Sequence, residues 1–379
     1  MLRIMEKYVN VVSFNVPYPP NYGGMIDIYY TLKTLHDAGV KIILHTFIDG
    51  RKKASELDEI CEEVYYYKAK KRLWSYFSSV PNVVYSRRSK KLMKNLLKNE
   101  YPILFECLHT CFYLDDPRLR FRRKLVRLHN IMHEYYAGLA RNSTSRLERW
   151  FLKLESKQLK KYGRQLLNAD VLFPISTIEE EYTELMYPSV KTELLPSFHA
   201  NLTVSISEKT KPFVLYHGDL STPDNIRTAL FLIKKVIAKD HLMRWVIAGL
   251  NPHPSIYRAI KRLKNVEIQA NLNSEAMDWL IKYSRINIFY THQVSGVRMK
   301  LINALFKGHH CLVNQKTAIG SRLESLCRII PDDPNAILES IRYYFSLPFS
   351  ADEIEMRKEI LGKYYNNQHN AEKLLKYIS

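Results

Sequence analysis

Arg298 and Lys300 stand two residues apart in THQVSGVRMKLINALFKG, residues 291–308, just after Gly296. Leu301, Ala304, Leu305 and Gly308 follow at helical spacing, which predicts a helix beginning near Ser295. A cation in the first turn meets the positive end of the helix dipole, an unfavourable contact of roughly 0.3–1 kcal/mol. Two readings accommodate it. In one, Ser295 caps a surface helix and water solvates both cations. In the other, an anion sits at the helix end, held by free backbone N–H groups and by Arg298 and Lys300, while Gly296 lets the backbone approach closely. A diphosphate suits the second arrangement.

Three further stretches carry residues of the same kind. RLHNIMHEYY (127–136) puts His129 and Asn130 at the end of an expected strand. His129 and His133 have ligand-like spacing, but no third ligand accompanies them, so no metal is expected. PYPPNYGG (17–24) ends in Gly23 and Gly24. That pair is either a plain turn or a source of exposed N–H groups for a phosphate or sugar hydroxyl. Its spacing is not G-x-G-x-x-G, so no dinucleotide fingerprint is present. LYHGDLSTPDN (215–225) combines a strand end, Gly218 and a helix start with Asn225. It reads as ordinary punctuation or as a sugar- or phosphate-facing loop.

The elements that must position these residues alternate. YVNVVSFNV (8–16) predicts a buried strand, residues 25–37 a helix stopped by Gly39, and VKIILHTF another strand. Strand, helix, strand is a βαβ unit and implies a parallel sheet. YPILFECLH, KLVRLHN and ADVLFPIS continue the series, with one long helical stretch at about 135–168 between the last two. A second series runs through PFVLYHGD, RWVIAGL, NVEIQAN, INIFYTH, HHCLVNQ and CRIIPDD, with helices at 225–239 and 274–284. The expectation is an α/β chain of two doubly wound domains, 1–198 and 212–350, joined by a linker at 199–211. A charged helical tail, 351–379, is a candidate for packing back on the first domain. Two such domains facing a central cleft would line it with strand C-terminal ends and helix N-termini.

Composition narrows the partners. With 379 residues, 46% hydrophobic and 25% charged, the chain has the balance of a globular protein. No apolar run reaches the roughly 20 residues that span a bilayer, and the N-terminus does not read as a signal peptide. A cytoplasmic location is expected. Five cysteines form no framework and read as reduced thiols. The net charge of +19 attracts polyanions. No nucleic-acid module is recognisable, so nucleic acid is not an expected partner. Ten Lys/Arg and no Asp/Glu fall between Val64 and Asn99, among Trp74, Tyr76, Phe77 and Tyr85. That stretch, with Arg87, Arg88, Lys90 and Lys91, is either a solvated face or a dock for an anionic membrane surface at its inner face.

In order and spacing, the four motifs together resemble a retaining glycosyltransferase of the GT-B fold, close to family 4, in a branch serving bacterial surface polysaccharides. SGVRMKLINALFKG resembles that family's donor-binding helix, of the form G-x-R-x-K-hydrophobic-x-E-A-hydrophobic-x-x-G. The resemblance implies transfer of a sugar from a nucleotide-diphosphate donor to a saccharide or lipid-linked acceptor, with retention, without a metal and without a cofactor. It gives His129 a hydrogen bond to the donor sugar, and Arg298 and Lys300 the leaving diphosphate. Gly23, Gly24, Asn130, Gly218, Asn225 and Gly296 would line the substrates. Ser295 and Asn303 replace the usual pair of glutamates, the second of which binds the donor ribose. The cations that usually follow the second domain's first strand are also missing. These departures admit two alternatives: a degenerate nucleotide-sugar-binding subunit, or a nucleotide-sugar epimerase of similar architecture.

Overall fold

The computed structural model describes residues 6–70, 78–143, 145–292 and 296–378. In chain order the first elements are β1 (Lys7–Ser13), α1 (Gly23–Asp37), β2 (Val40–Ile48), β3 (Glu63–Lys68), α2 (Asn82–Tyr85), α3 (Lys90–Leu96) and β4 (Ile103–Glu106). Then come β5 (Lys124–Leu128), α4 (Met132–Asn142), α5 (Arg146–Tyr162), β6 (Val171–Pro174), α6 (Thr177–Met186) and β7 (Lys191–Thr192). The second series is β8 (Lys211–Asp219), α7 (Pro223–Lys235), β9 (Arg244–Leu250), α8 (Pro254–Ile260), β10 (Val266–Ala270), α9 (Ser274–Tyr283) and β11 (Ser284–Phe289). It continues with α10 (Met299–Lys307), β12 (His310–Asn314), α11 (Gln315–Ala318), β13 (Arg328–Ile330), α12 (Pro334–Ser346), α13 (Ala351–Tyr364) and α14 (Asn367–Ile378).

The chain divides into two compact units. One comprises Met1–Ala200, Ser295–Val297 and Tyr365–Ser379, and the other Asn201–Val294 and Arg298–Tyr364. Each holds a parallel sheet. The first has seven strands in the order β3-β2-β1-β4-β5-β6-β7, the second six in the order β10-β9-β8-β11-β12-β13. Every pairing in both is parallel. Helices cover both faces of such sheets, so the central strands read as continuous apolar runs. Val9, Val11 and Val12 of β1 are all fully buried. Ile28, Leu32 and Leu35 of α1 pack with Val9 and Val11 on one face, joined by Ala371, Leu374 and Ile378 of α14. Val12, Phe105 and Val126 belong to the core on the other face.

Several expectations need correction. The single helix at 135–168 is two helices and a final 3-10 turn. The break comes where Ser145 turns its hydroxyl on the Glu148 N–H and starts α5 afresh. The helix expected from Ser295 begins at Met299, because Gly296 is held at φ +81°, outside helical geometry. Ser295 itself lies outside the described residues. Gly23 and Gly24 are not a loop but the opening residues of α1, after Tyr22. Sequence reading missed β3 and β7, the first because its tyrosines sit inside a basic stretch. The tail is two helices, α13 and α14.

One buried ion pair ties the first unit together. Arg127, the next-to-last residue of β5, is fully buried and bonds both oxygens of Asp27 on α1, at 2.8 and 3.0 Å from one nitrogen. It also donates to the Leu195 and Pro196 carbonyls, while Asp27 accepts the Phe198 N–H at 2.7 Å. Strand, helix and the chain leaving β7 therefore share one charge-compensated knot. Removing one partner of such a pair leaves an uncompensated buried charge at about 3–5 kcal/mol. Arg127→Met should accordingly lower the thermal unfolding midpoint by several degrees, and an unchanged melting curve would show the pair to be dispensable.

Candidate functional site

Each sheet reverses its strand order once, between β1 and β4 and between β8 and β11. At such a switch point the loops leave in opposite directions and open a crevice at the strands' C-terminal edge, where ligands of α/β proteins bind. The sequence-selected residues gather at these two edges, one group in each unit.

In the second unit, β8 ends in Tyr216, His217, Gly218 and Asp219, and β11 ends in Phe289. Lys300, in the first turn of α10, donates to the His217 carbonyl at 3.3 Å and to Asn225 Oδ1 at 3.4 Å. Its ammonium lies over the Tyr216 and Phe289 rings, 5.2 and 5.9 Å from their centroids. Asn225 donates in turn to the Asp219 carbonyl, and a side chain on Gly218 would crowd its amide at 3.1 Å. Gly218, Asn225 and Lys300 are thus one constellation. Arg298 is the N-cap residue of α10 and reaches Thr291 Oγ1 at 3.3 Å. Among the described residues no side chain caps this helix, and no acid stands in its first turn. The first turn leaves N–H groups without intrahelical partners, so the helix end is electropositive.

Burial makes charge costly here. Burial, then the neighbouring Arg298, pushes Lys300 down to about 8, and Asp224 partly opposes the fall. Burial, then the Lys300 charge, pushes His217 down to about 3, so its imidazole is neutral. His217 Nε2 is buried without a protein partner, as is Asp224 Oδ1. Sequence reading missed His217 and Asp224. Both lie within LYHGDLSTPDN, and a polar residue inside or just past an apolar strand run was the available signal. Asn303 is not part of the group. Its amide faces α9 and donates to Asp278 Oδ1 at 3.3 Å, beside Lys307.

In the first unit, His129 lies just beyond β5 with its two ring nitrogens toward carboxylates. Nε2 is 2.8 Å from Glu106 Oε2 and Nδ1 is 3.3 Å from Asp27 Oδ2. The ring is 7% exposed and meets Phe14 edge-on. A direct hydrogen bond from His129 to a sugar would have to replace one of these two contacts. His129 thus joins the knot of Asp27, Glu106 and Arg127. Asp27 and Glu106 had a sequence signal that went unread: an acid on the apolar face of a helix, and another closing the strand ILFE. Asn130 meets Gly296 instead. A side chain on Gly296 would come within 2.3 Å of Asn130 Oδ1, and the Gly296 N–H donates to Glu179 Oε1 at 3.0 Å. Gly23 and Gly24 start α1, and a side chain on Gly24 would press on Phe14 at 3.1 Å.

The basic stretch at 64–99 is not one surface. Trp74, Tyr76 and Phe77 lie outside the described residues. Arg87 turns inward to Asp49 at 2.9 Å and to the Phe14 and Val83 carbonyls, so it cannot meet a membrane. Arg88 folds over the Tyr85 ring. Among the described residues, no group of three or more His, Cys, Asp and Glu is placed to hold a metal ion. No described helix is long and apolar enough to cross a membrane. The five cysteines are free and buried.

Comparison with known proteins places this geometry. Sucrose-phosphate synthase from Thermosynechococcus elongatus superposes with a TM-score of 0.72, at 15% identity, covering 98% of both chains. HepE from Anabaena, in complex with UDP and glucose, superposes at 0.67 with 11% identity, over 98% of this chain and 99% of that one. The fold is GT-B. In sequence, an uncharacterized 44.6 kDa protein in the cps region of Klebsiella pneumoniae is 27% identical over 330 residues, 82% of this chain and 83% of that protein. No family model matches the chain.

The edge beside Gly218 depends on bare backbone. A β-carbon on Gly249, at the end of β9, would fall 1.7 Å from the Gly218 carbonyl oxygen. Backbone cannot yield as a flexible side chain does. Gly249→Ala should push β8 and β9 apart at their C-terminal ends and lower thermal stability by several degrees. A melt indistinguishable from wild type would mean that this edge is loosely packed.

Proposed function

We propose that this chain is a glycosyltransferase that moves a sugar from a nucleoside-diphosphate donor to a saccharide or lipid-linked acceptor, with retention and without a metal, in cell-surface polysaccharide synthesis. The observation that carries the reading is the uncapped start of α10, with Arg298 and Lys300 beside Gly218 and Asn225 at the switch point of the second sheet. Three sources of positive potential converge there: two side chains and the helix end. The GT-B fold supports the reading, as does the relative in a cps region. Retention, metal independence and kinship with family 4 rest on the motif resemblance. An acceptor carried on lipid, met at an anionic membrane, fits the chain's positive charge.

Glycosyl transfer breaks the bond between the anomeric carbon and the diphosphate oxygen, so negative charge grows on the leaving group. Donors fixed before the reaction stabilise that charge without reorganising. Lys300 and Arg298 would supply two charge-assisted contacts, and the first N–H groups of α10 further ones. His217, neutral and unpartnered at Nε2, can add a hydrogen bond to a phosphate oxygen. With retention, the departing phosphate itself can take the acceptor's hydroxyl proton, since it leaves from the face that the acceptor enters. In the first unit, His129 would act through Glu106 and Asp27 to hold the edge at Phe14 and Asn130 in shape.

Lys300→Ala should weaken UDP binding roughly tenfold to a hundredfold, as expected for one hydrogen bond to a charged group. Uridine binding should change little. Equal losses for nucleotide and nucleoside, measured by calorimetry, would remove the phosphate role. Donor hydrolysis and transfer assays test the activity itself, and UDP binding without turnover across donors and acceptors would overturn it.

The lowered Lys300 pKa sets a pH dependence with a definite sign. An anion favours the charged amine, so binding takes up a proton once the free group has lost its own. UDP affinity should hold below pH about 8 and fall by up to about tenfold per unit above it. Without ligand the linkage runs the other way: stability should rise as pH climbs from about 8 toward the ordinary lysine value, because the unfolded chain then holds the extra proton. In Lys300→Met both trends should vanish from titrations of affinity and melting. Their persistence would assign them to another group.

A further inference from the structure

α4 leaves the C-terminal end of β5, next to His129, and α5 leads back toward β6. The two helices pack on each other, with Ser156 donating to the His133 carbonyl at 2.7 Å. α5 has two distinct faces. Glu155, Leu159 and Tyr162, spaced i, i+4, i+7, are buried. Arg146, Arg149, Trp150, Lys153, Lys157, Lys160 and Lys161 recur at i, i+3, i+4, i+7, i+11, i+14, i+15, and all are exposed. The outer stripe thus carries six cations around one indole over a helix of 17 residues. Its single exposed acid, Glu148, accepts the Ser143 hydroxyl at 2.6 Å.

The stripe borders apolar surface as well. Leu147 is 67% exposed and Trp150 52%, and Trp150 stacks edge-on against Phe151. Beside Leu147 lies an open cavity of about 420 Å³, lined by Val83, Tyr136, Phe151 and Leu152 on its apolar side and by polar groups, Glu148 and Glu155 among them, on the other. A solvated helix face explains cations but not a leucine and a tryptophan left in water beside them. A nucleic acid or an acidic protein surface would meet the cations and leave Leu147 unpartnered. An anionic bilayer matches both halves, with headgroups for the Lys/Arg stripe and the interfacial zone for the indole and leucine.

We propose that the outer face of α5, with Leu147 and Trp150, is the surface by which this protein docks on an anionic phospholipid bilayer. This deepens the reading of a membrane-borne acceptor, since α4 starts beside His129 and Asn130 and α5 packs back along it. The docking itself stands whatever the sugar.

The test is flotation of the full chain with vesicles of equimolar phosphatidylglycerol and phosphatidylcholine, against phosphatidylcholine alone. Each cation near such a surface contributes about fivefold in partition. The triple variant Lys153→Gln/Lys157→Gln/Lys161→Gln, whose side chains are exposed, should therefore partition about a hundredfold more weakly. Trp150→Ala should weaken partition about tenfold while leaving its salt dependence unchanged. Wild-type partition by the triple variant, or equal flotation with neutral vesicles, overturns the proposal. Retention on heparin without flotation also overturns it, in favour of a soluble polyanion. Hydrolysis of a soluble donor sugar should be as fast in the triple variant as in wild type. Flotation that depends on α5 in a chain that turns over no donor would uphold the docking surface and sink the enzymatic reading.

Discussion

A parallel strand delivers its last carbonyls and the first N–H groups of the next helix to the same edge of the sheet. Where strand order reverses, nothing crosses that edge, and the backbone there stays open to a ligand. Both sheets of this protein reverse once, β1 against β4 and β8 against β11. The chemistry-bearing residues lie at these reversals because a polar side chain anywhere else along a central strand would be buried between helices. Lys300 meets the β8 end through the His217 carbonyl, and Glu106 closes β4 beside His129. The topology decides where charge can be tolerated at all.

The two edges handle charge differently. In the first unit the buried charges are compensated. Arg127 sits on Asp27, and His129 lies between Asp27 and Glu106, so little potential is left for a ligand to meet. In the second unit Arg298 and Lys300 lie side by side with Asp224 near them, and burial, then the Arg298 charge, holds the Lys300 pKa below the usual lysine value. Positive potential left unbalanced at a helix start is what a leaving diphosphate would use.

Much of this was legible in one dimension. The strands of both series announced themselves as apolar runs, because a sheet covered on both faces demands them, and the switch to helical spacing marked most helices. Arg298, Lys300, Gly218 and Asn225 stood out since cations at a helix start and a glycine at a strand end break local rules. What stayed hidden was pairing over distance. Asp27 and Arg127 are a hundred positions apart, and each alone looks like an error in an apolar pattern. Arg87 sat in a run of surface-like cations, yet Asp49 and the Phe14 carbonyl draw it inside.

The sequence by itself determined the alternation of strands and helices, the parallel sheets that follow from it, and the cations at the start of α10, since these depend only on periodicity and near neighbours. The tertiary structure alone decided which charges face ligand and which are consumed. It turned His129 toward two carboxylates, sent Asn303 to Asp278, drew Arg87 inward, and put six cations of α5 on one exposed face. The reason is physical: the worth of a charge is set by its partners and by the water it loses, and both are fixed only when distant segments meet.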